Sequence, residues 1–552
     1  MENPDFEASR FETHEVENQP PEFAPRDLWA DDIALREAMR REGAGEFSGR
    51  VATYGALAGS ALYELSFDAH RDRPRLCSHD AHGHRIDRIE FHPSYHALMQ
   101  AAIEHGVAGL SWHEQIPGAH VARAALSYLH HQVEPGTSCP LTMTHAAVPV
   151  LRREPALAEW AGKAASPNYD PREVPIADKR GITLGMGMTE KQGGSDVRSN
   201  TTTATPLAGD GEYSLVGHKW FFSAPMSDGF VVLAQAPSGL TCLLIPRRLS
   251  DGRKNAFRLV RLKDKLGDWS NASSEVEFCG AWARRIGEEG RGIATILEMV
   301  MLTRLDCMLG AAAQVRMALA HAIHHCRHRR AFGKPLVEQP LMRNLLADLA
   351  IEAEAALALS MRIARAVDAA PRDPAEAALA RVTTAVGKYW LCRRAPALVN
   401  EAQECLGGNG YIEESILPRL YRQAPLNSIW EGSGNIQCLD VLRALAKEPE
   451  TGAALWAALQ DAGNGHPAHA AAIERLRGPL HGESGIDEAG ARRFVESLAL
   501  ALQGSVLLGA GSPAADMFCR SRLGDEHGLA MGTLPPDLPF GDMIDRALPP
   551  EG

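Results

Sequence analysis

Between Gly181 and Arg285 the chain stops reading as helix. Short runs rich in β-branched and aromatic residues appear: Tyr213-Ser-Leu-Val-Gly, Lys219-Trp-Phe-Phe-Ser, Phe230-Val-Val-Leu-Ala, Thr241-Cys-Leu-Leu-Ile and Glu275-Val-Glu-Phe. Gly209-Asp210-Gly211, Pro225 and Pro237-Ser-Gly239 separate them. Strand runs divided by turn formers predict a β domain over 181–285, either a barrel or two packed sheets. Helix formers without period-two alternation fill both flanks. The fold class expected is therefore α+β and multidomain.

Residues 1–26 form an N-terminal arm whose polar, Pro-containing sequence (Gln19-Pro20-Pro21) buries too little apolar surface to fold alone. The arm is expected to wrap a neighbour or stay mobile. Residues 27–180 make an N-terminal domain expected to be all-α. Within it, 71–90 is polar and His-rich. His79, His82 and His84 lack a carboxylate or Cys partner at coherent spacing, so this stretch reads as a solvated loop. Residues 286–450 return to helix, with breaks at 331–340 and 370–374. Gly287-x-x-Gly290-x-Gly292 is not the dinucleotide-binding order and reads as a turn into a helix. Residues 451–552 add an extra helical segment, including Arg492 to Leu508.

The net charge of −12 over 552 residues disfavours a general polyanion binder. Residues 451–552 alone carry 7 Arg and Lys against 13 Asp and Glu. Ten scattered cysteines without a C-x-x-C pair read as reduced thiols in a cytoplasmic protein, with neither a disulfide framework nor a metal site. The acidic N-terminus does not read as a secretory signal. No apolar run approaches the ~18 residues of a membrane span.

Five stretches carry chemistry. Gly185-Met186-Gly-Met188-Thr189-Glu-Lys-Gln-Gly193-Gly194-Ser195-Asp196-Val197 offers hydroxyls and backbone N–H groups to a flat polar ligand edge. In Lys219-Trp-Phe221-Phe-Ser223, alternation places Phe221 and Ser223 on one face, an aromatic wall beside a hydroxyl. Arg329-Arg-Ala-Phe332-Gly-Lys-Pro suits a phosphate contact where a helix stops. His321, His324, His325 and His328 pair at i, i+4, but the adjacent Arg327, Arg329 and Arg330 disfavour a cation. In Asn427-Ser-Ile-Trp-Glu431-Gly-Ser433-Gly-Asn435-Ile-Gln437, one carboxylate sits beside aromatic and aliphatic residues, where desolvation would make it a better base.

In order and spacing this set resembles the acyl-CoA dehydrogenase superfamily from about Asp27 to Lys447. Met-Thr-Glu-Lys-Gln-Gly-Gly-Ser-Asp, His-Lys-Trp-Phe-Phe-Ser, Asn-Ser-Ile-Trp-Glu-Gly-Ser-Gly-Asn-Ile, Phe91-His-Pro-x-Tyr-His, the arm and the extra C-terminal segment resemble its AidB-like, DNA-alkylation-response branch. The resemblance implies an N-terminal α domain, a middle β-barrel and a C-terminal four-helix domain that binds FAD and mediates dimerisation. It implies a homo-oligomer, as a tetramer, with a second subunit contributing to each cofactor. By position it implies that Met186, Met188, Thr189, Gly194, Ser195, Phe221, Ser223, Arg329, Phe332, Ser433 and Asn435 bind FAD. Arg329 and Phe332 would meet the FAD of the other subunit.

Glu431 falls at the family's base. The implied activity is α,β-dehydrogenation of an acyl-CoA thioester, with hydride transfer to flavin N5 near Ser223. The sequence departs from the family where Pro340 and Glu404 stand in place of expected glutamines, with Gln339 and Gln403 one residue away. Thr303 stands where the isovaleryl-CoA type places its base, which leaves Glu431 as the matched candidate. The alternative is a protective flavoprotein that binds double-stranded DNA and turns over weakly or not at all. For that reading the net-acidic C-terminal segment is a difficulty, since nonspecific DNA affinity comes mainly from phosphate neutralisation.

Overall fold

A computed structural model describes residues 13–461 and 465–550. In the N-terminal domain the polar stretch expected as a solvated loop is instead a β-hairpin, β1 (Arg75–His79) and β2 (Arg85–Glu90), so this domain is not all-α. The cause lies in the partner. Ile89 packs into the core of the β domain, and the Asp87 carboxylate accepts from Leu259 N–H at 3.3 Å. The hairpin is thus an outrigger of the next domain. The rest of the domain is helical, with α1 (Ala119–Val133) and α2 (Pro135–Leu151) buried along nearly their whole length.

The middle domain contains β3 (Leu184–Gly187), β4 (Thr203–Pro206), β5 (Glu212–Ser223), β6 (Gly229–Ala236), β7 (Gly239–Pro246), β8 (Phe257–Leu262) and β9 (Ser273–Arg285). Strands β6, β4, β5, β9 and β7 pair in a ring, so the sheet is a closed barrel; β3 adds to β6 and β8 to β9. Two runs expected as separate strands, Tyr213–Gly217 and Lys219–Ser223, are one strand, β5, broken by register shifts at Leu215/Val216 and Lys219/Phe222. Phe222, Phe230 and Phe278 fill the interior, the first two with ring centroids 4.4 Å apart. Phe221 points outward.

The helical region after the barrel begins at Gly292, just past the Gly287–Gly292 turn. Helix α3 (Gly292–His328) has 37 residues and is buried on all sides over most of its length. It lies between the N-terminal domain and α4 (Pro340–Ala369), α5 (Pro374–Glu404) and α6 (Gly434–Lys447). The Asp373 carboxylate caps α5, accepting from the N–H groups of Ala375 and Glu376. The break before α4 holds a two-residue hairpin, Arg330–Ala331 with Lys334–Pro335.

The C-terminal segment is helical as expected, with α7 (Ala491–Gly509) its longest element. It is fastened by charge. Arg522 pairs with Asp348 and Glu352 of α4, and Arg546 with Glu354 and Glu37. Among the described residues no helix is long and apolar enough to cross a membrane.

The described part of the arm, residues 13–26, docks on its own chain at the C-terminal end of α3. Phe23 stacks on His321 with centroids 3.8 Å apart, and Pro21 O lies 2.9 Å from His324 Nε2. His321 and His324 of the four-histidine run thus seat the arm. Burial pushes His321 down to about 3 and, with Arg329 and His324 nearby, His325 to about 4, so both are neutral there. Residues 1–12 of the arm lie outside the described residues.

Candidate active site

Glu431 sits in a short loop between the helix Leu426–Ile429 and α6, with a left-handed backbone (φ 57°), followed by Gly432 at φ 89°. A non-glycine residue there costs of order 1–3 kcal/mol and persists only where its surroundings fix it. Three side chains do so. Lys388 Nζ from α5 donates to Trp430 O at 2.6 Å and Gly432 O at 2.5 Å. Arg304 Nε from α3 donates to Glu431 O at 3.1 Å, and Gln437 Nε2 to Glu431 O at 3.0 Å and Gly432 O at 2.8 Å. Arg304 is itself held by Asp440, 2.7 Å away.

The Glu431 carboxylate turns inward, while the residue as a whole is half-buried. Its Oε2 accepts from the Thr303 hydroxyl at 2.7 Å. Burial raises the carboxyl above its ordinary range, opposed by the Thr303 hydrogen bond and by the Lys388 and Arg304 charges. Thr303, which stands at the alternative base position, is therefore the hydrogen-bond partner of the Glu431 carboxylate. One turn further along α3, Asp306 is buried, clasped by both Arg123 guanidinium nitrogens and by Thr142 Oγ1 at 2.5 Å. This clasp sets the depth of α3 against α1 and α2.

The loop expected to meet the flavin is assembled against β5. Met186 lies on β3 and is buried, and Met188 follows, with its carbonyl accepting from Asn200 Nδ2 at 2.9 Å. Thr189 O accepts from Trp220 N–H at 2.8 Å. Gly194 folds back on Thr189, so a Cβ on Gly194 would lie 2.3 Å from Thr189 Oγ1; Ser195 is exposed beyond it. The anchor is a residue to which the sequence reading gave no role. Glu190 is fully buried and accepts from Lys219 Nζ at 2.8 Å and Thr201 N–H at 2.7 Å. A buried ion pair with extra donors is how a polar loop is held on a barrel rim.

Phe221 is 54% exposed on the outer face, and Ser223 Oγ lies 3.3 Å from Ser273 Oγ on the same face. Alternation thus placed Phe221 and Ser223 together as expected. Cys139 of α2 lies near both the barrel and Glu431. Its thiol, pushed up to about 12 by burial, feels both Lys265 and Asp268 of the barrel loop and Glu431.

Ser433 and Asn435 open α6. With Lys388, Tyr389, Arg393 and Arg492 they line a cavity of about 180 Å³. Arg492 Nε, from α7, donates to Asn435 Oδ1 at 2.8 Å.

Arg329 and Phe332 are not brought to this site. Arg329 lies 26 residues along α3 from Thr303, about 39 Å at 1.5 Å per residue. Its guanidinium donates to Asn18 O at 2.7 Å, and Phe332 is 98% exposed on the hairpin. The two displaced glutamines are structural: Gln339 donates to Ala331 O at 3.0 Å and Gln403 to Gly410 O at 2.7 Å. The sequence reading also missed Lys388. Its only signal was a lysine in an otherwise apolar stretch of α5.

A closed barrel between two helical domains is the architecture of the acyl-CoA dehydrogenases. The chain belongs to the acyl-CoA dehydrogenase family, in its AidB branch. Residues 18–171 match the adaptive response protein AidB N-terminal domain, 185–280 the acyl-CoA dehydrogenase middle domain and 290–446 its C-terminal domain. The chain is 52% identical to AidB of Escherichia coli (strain K12) over 442 residues, 79% of this chain and 81% of that one. It is 31% identical to acyl-CoA dehydrogenase family member 11 of Caenorhabditis elegans, over 76% and 70% of the two chains. The crystal structure of C. elegans ACDH-11 in complex with C11-CoA superposes with a TM-score of 0.84 at 26% identity, covering 94% of this chain and 95% of that one.

The protein is accordingly an FAD-dependent oxidoreductase. The residues present fit that cofactor. The half-exposed Phe221 face and the loop hydroxyls offer an aromatic wall and polar-edge donors, while the cationic cavity at Ser433 and Asn435 offers donors suited to phosphates.

Proposed function

We propose that this protein dehydrogenates an acyl-CoA thioester, with Glu431 as the base that removes the α-proton. The observation that carries the reading is the inward Glu431 carboxylate, partly desolvated, bonded to Thr303 and fixed by a backbone that three side chains hold. When bound, FAD supplies the acceptor for the hydride leaving the β-carbon. The residues that would hold it are Met186, Met188, Thr189, Gly194, Ser195, Phe221, Ser223, Ser433 and Asn435. A second chain would add Arg329 and Phe332.

Within this chain the α-carbon–hydrogen bond breaks, the proton passes to the Glu431 carboxylate, and the backbone N–H of Glu431 polarises the thioester carbonyl as negative charge develops. The base loop can hold its position through this charge change because Lys388, Arg304 and Gln437 bond its backbone and leave the carboxylate free of them. ACDH-11 in complex with C11-CoA supports an acyl-CoA ligand of this class.

The 98% exposure of Phe332 supports assembly of further copies, with a homotetramer as the proposed form. Ten free thiols support a reducing, cytoplasmic setting. Double-stranded DNA is the weaker reading. In the C-terminal segment Arg477 is paired with Glu474, Arg520 with Glu526 and Asp537, and Arg492 with Asn435.

The test is anaerobic flavin bleaching with acyl-CoA thioesters of increasing chain length. Glu431→Gln is expected to slow bleaching by about 10²–10⁴-fold, the usual worth of a general base. Bleaching at the wild-type rate in that variant would remove Glu431 from the role.

A further inference from the structure

Thr303 has one hydroxyl hydrogen and two acceptors. Its Oγ1 lies 2.7 Å from Glu431 Oε2 and 2.9 Å from the Val300 carbonyl oxygen, one turn back on α3. A hydroxyl donates once and accepts through its lone pairs, so both contacts cannot be donations at once. The side chain is buried, and a bond lost there is not made good by bulk water.

The two contacts match the two states of the base. When Glu431 is ionised, the Thr303 hydrogen lies toward the carboxylate. When Glu431 is protonated, its O–H donates to a Thr303 lone pair and the Thr303 hydrogen turns to Val300 O. A half-turn about the broad, two-fold carboxyl torsion brings a proton received on either oxygen to face Thr303. We propose that Thr303 is a hydrogen-bond toggle that keeps the Glu431 carboxyl satisfied both before and after it takes the substrate proton. The proposal rests on Glu431 being the base. No bond is made or broken beyond the proton transfer itself, so Thr303 is a positioning residue.

The other groups facing the carboxyl cannot perform this switch. Lys388 from α5 and Arg304 from α3 are cations with donors only, and both are committed to backbone oxygens of the loop. Cys139 from α2 and Cys307 from α3 are buried thiols held protonated by their surroundings. The Thr303 bond lowers the Glu431 carboxyl relative to what burial alone imposes. A hydrogen bond donated to an ionised carboxylate is about twice as strong as one between neutral groups, so donation to the carboxylate outweighs acceptance from the acid.

The experiment is infrared difference spectroscopy of the holoenzyme without substrate, titrated with pH. The protonated-carboxyl band that disappears in Glu431→Gln is assigned to Glu431. Thr303→Val keeps the shape and removes the hydroxyl. It is expected to move the midpoint of that band up by about one pH unit, a tenfold change in the proton equilibrium. It should also shift the band itself, because the acid O–H loses its acceptor. Thr303→Ser is expected to restore both. The acid limb of kcat/KM should move up with the midpoint, because the base must be ionised to act.

An unmoved midpoint in Thr303→Val, failure of Thr303→Ser to restore it, or absence of a titrating Glu431 band would each overturn the toggle. Thr303→Ala serves if the valine variant does not fold. A Glu431→Gln enzyme that still bleaches its flavin normally would remove the base reading and the toggle's place in the reaction with it, whereas the infrared result, which does not depend on turnover, reports the Thr303 switch by itself.

Discussion

Two loops of this chain are built on the same backbone device and put to opposite uses. At Glu431-Gly432 and at Phe332-Gly333 a large side chain takes the left-handed region (φ 57° and 51°), and a glycine follows at φ 89° and 86°. In the first loop the side chain turns into the protein and three buried donors hold the backbone. In the second the side chain is almost wholly exposed, and the backbone is held mainly by an arm residue, Asn18, whose side-chain amide spans Arg330 N–H at 2.8 Å and Arg330 O at 2.9 Å. A strained turn aims a side chain; what it is aimed at differs. Glu431 is aimed into its own chain, at the buried hydroxyl of Thr303. Phe332 is aimed away from the chain, into solvent.

Lys388→Met breaks the comparison hardest, because it removes a buried cation that satisfies two carbonyls of the base loop. Charge-assisted bonds contribute about 1.5–3 kcal/mol each, so a stability loss of about 3 kcal/mol is expected by urea unfolding. Flavin bleaching by acyl-CoA should fall by about 10²-fold as the carboxylate loses its alignment. A stable variant with normal bleaching would mean that the loop holds its shape without the lysine.

The paired glycines give the next effect. An alanine at either position adopts a left-handed backbone, at about 1 kcal/mol. At Gly432 the new Cβ would also lie 2.7 Å from Gln437 Nε2, whereas at Gly333 nothing stands within 4 Å. Gly432→Ala is expected to cost about 3 kcal/mol and Gly333→Ala about 1 kcal/mol, read as the difference in urea midpoints. Equal costs would show that Gln437 moves aside freely.

The same contrast explains what the sequence made legible. The barrel followed from strand runs and turn residues, and Glu431 stood out as a carboxylate among apolar and glycine neighbours, because those signals are local. The β1–β2 hairpin did not, because its stability comes from Ile89 reaching the core of another domain. Nor did the supports of the base loop. Lys388, Arg304 and Gln437 come from three helices and act on backbone oxygens, for which no spacing rule exists. Thr303 was visible only as the position that the isovaleryl-CoA type gives to its base. The four histidines on α3 formed a periodic pattern, yet two of them, His321 and His324, pack against the arm some 300 residues away.

Phe332→Ala should have the smallest effect on the chain and the most specific one beyond it. A side chain 98% exposed buries nothing in its own chain. Its removal is expected to change the stability of the dissociated chain by less than about 0.5 kcal/mol, in contrast to Lys388→Met. If the ring seats against a second copy and its cofactor, the variant should show weaker self-association by analytical ultracentrifugation and a lower flavin content after gel filtration. Wild-type association and flavin retention would show that the left-handed turn at Phe332 aims its ring at nothing.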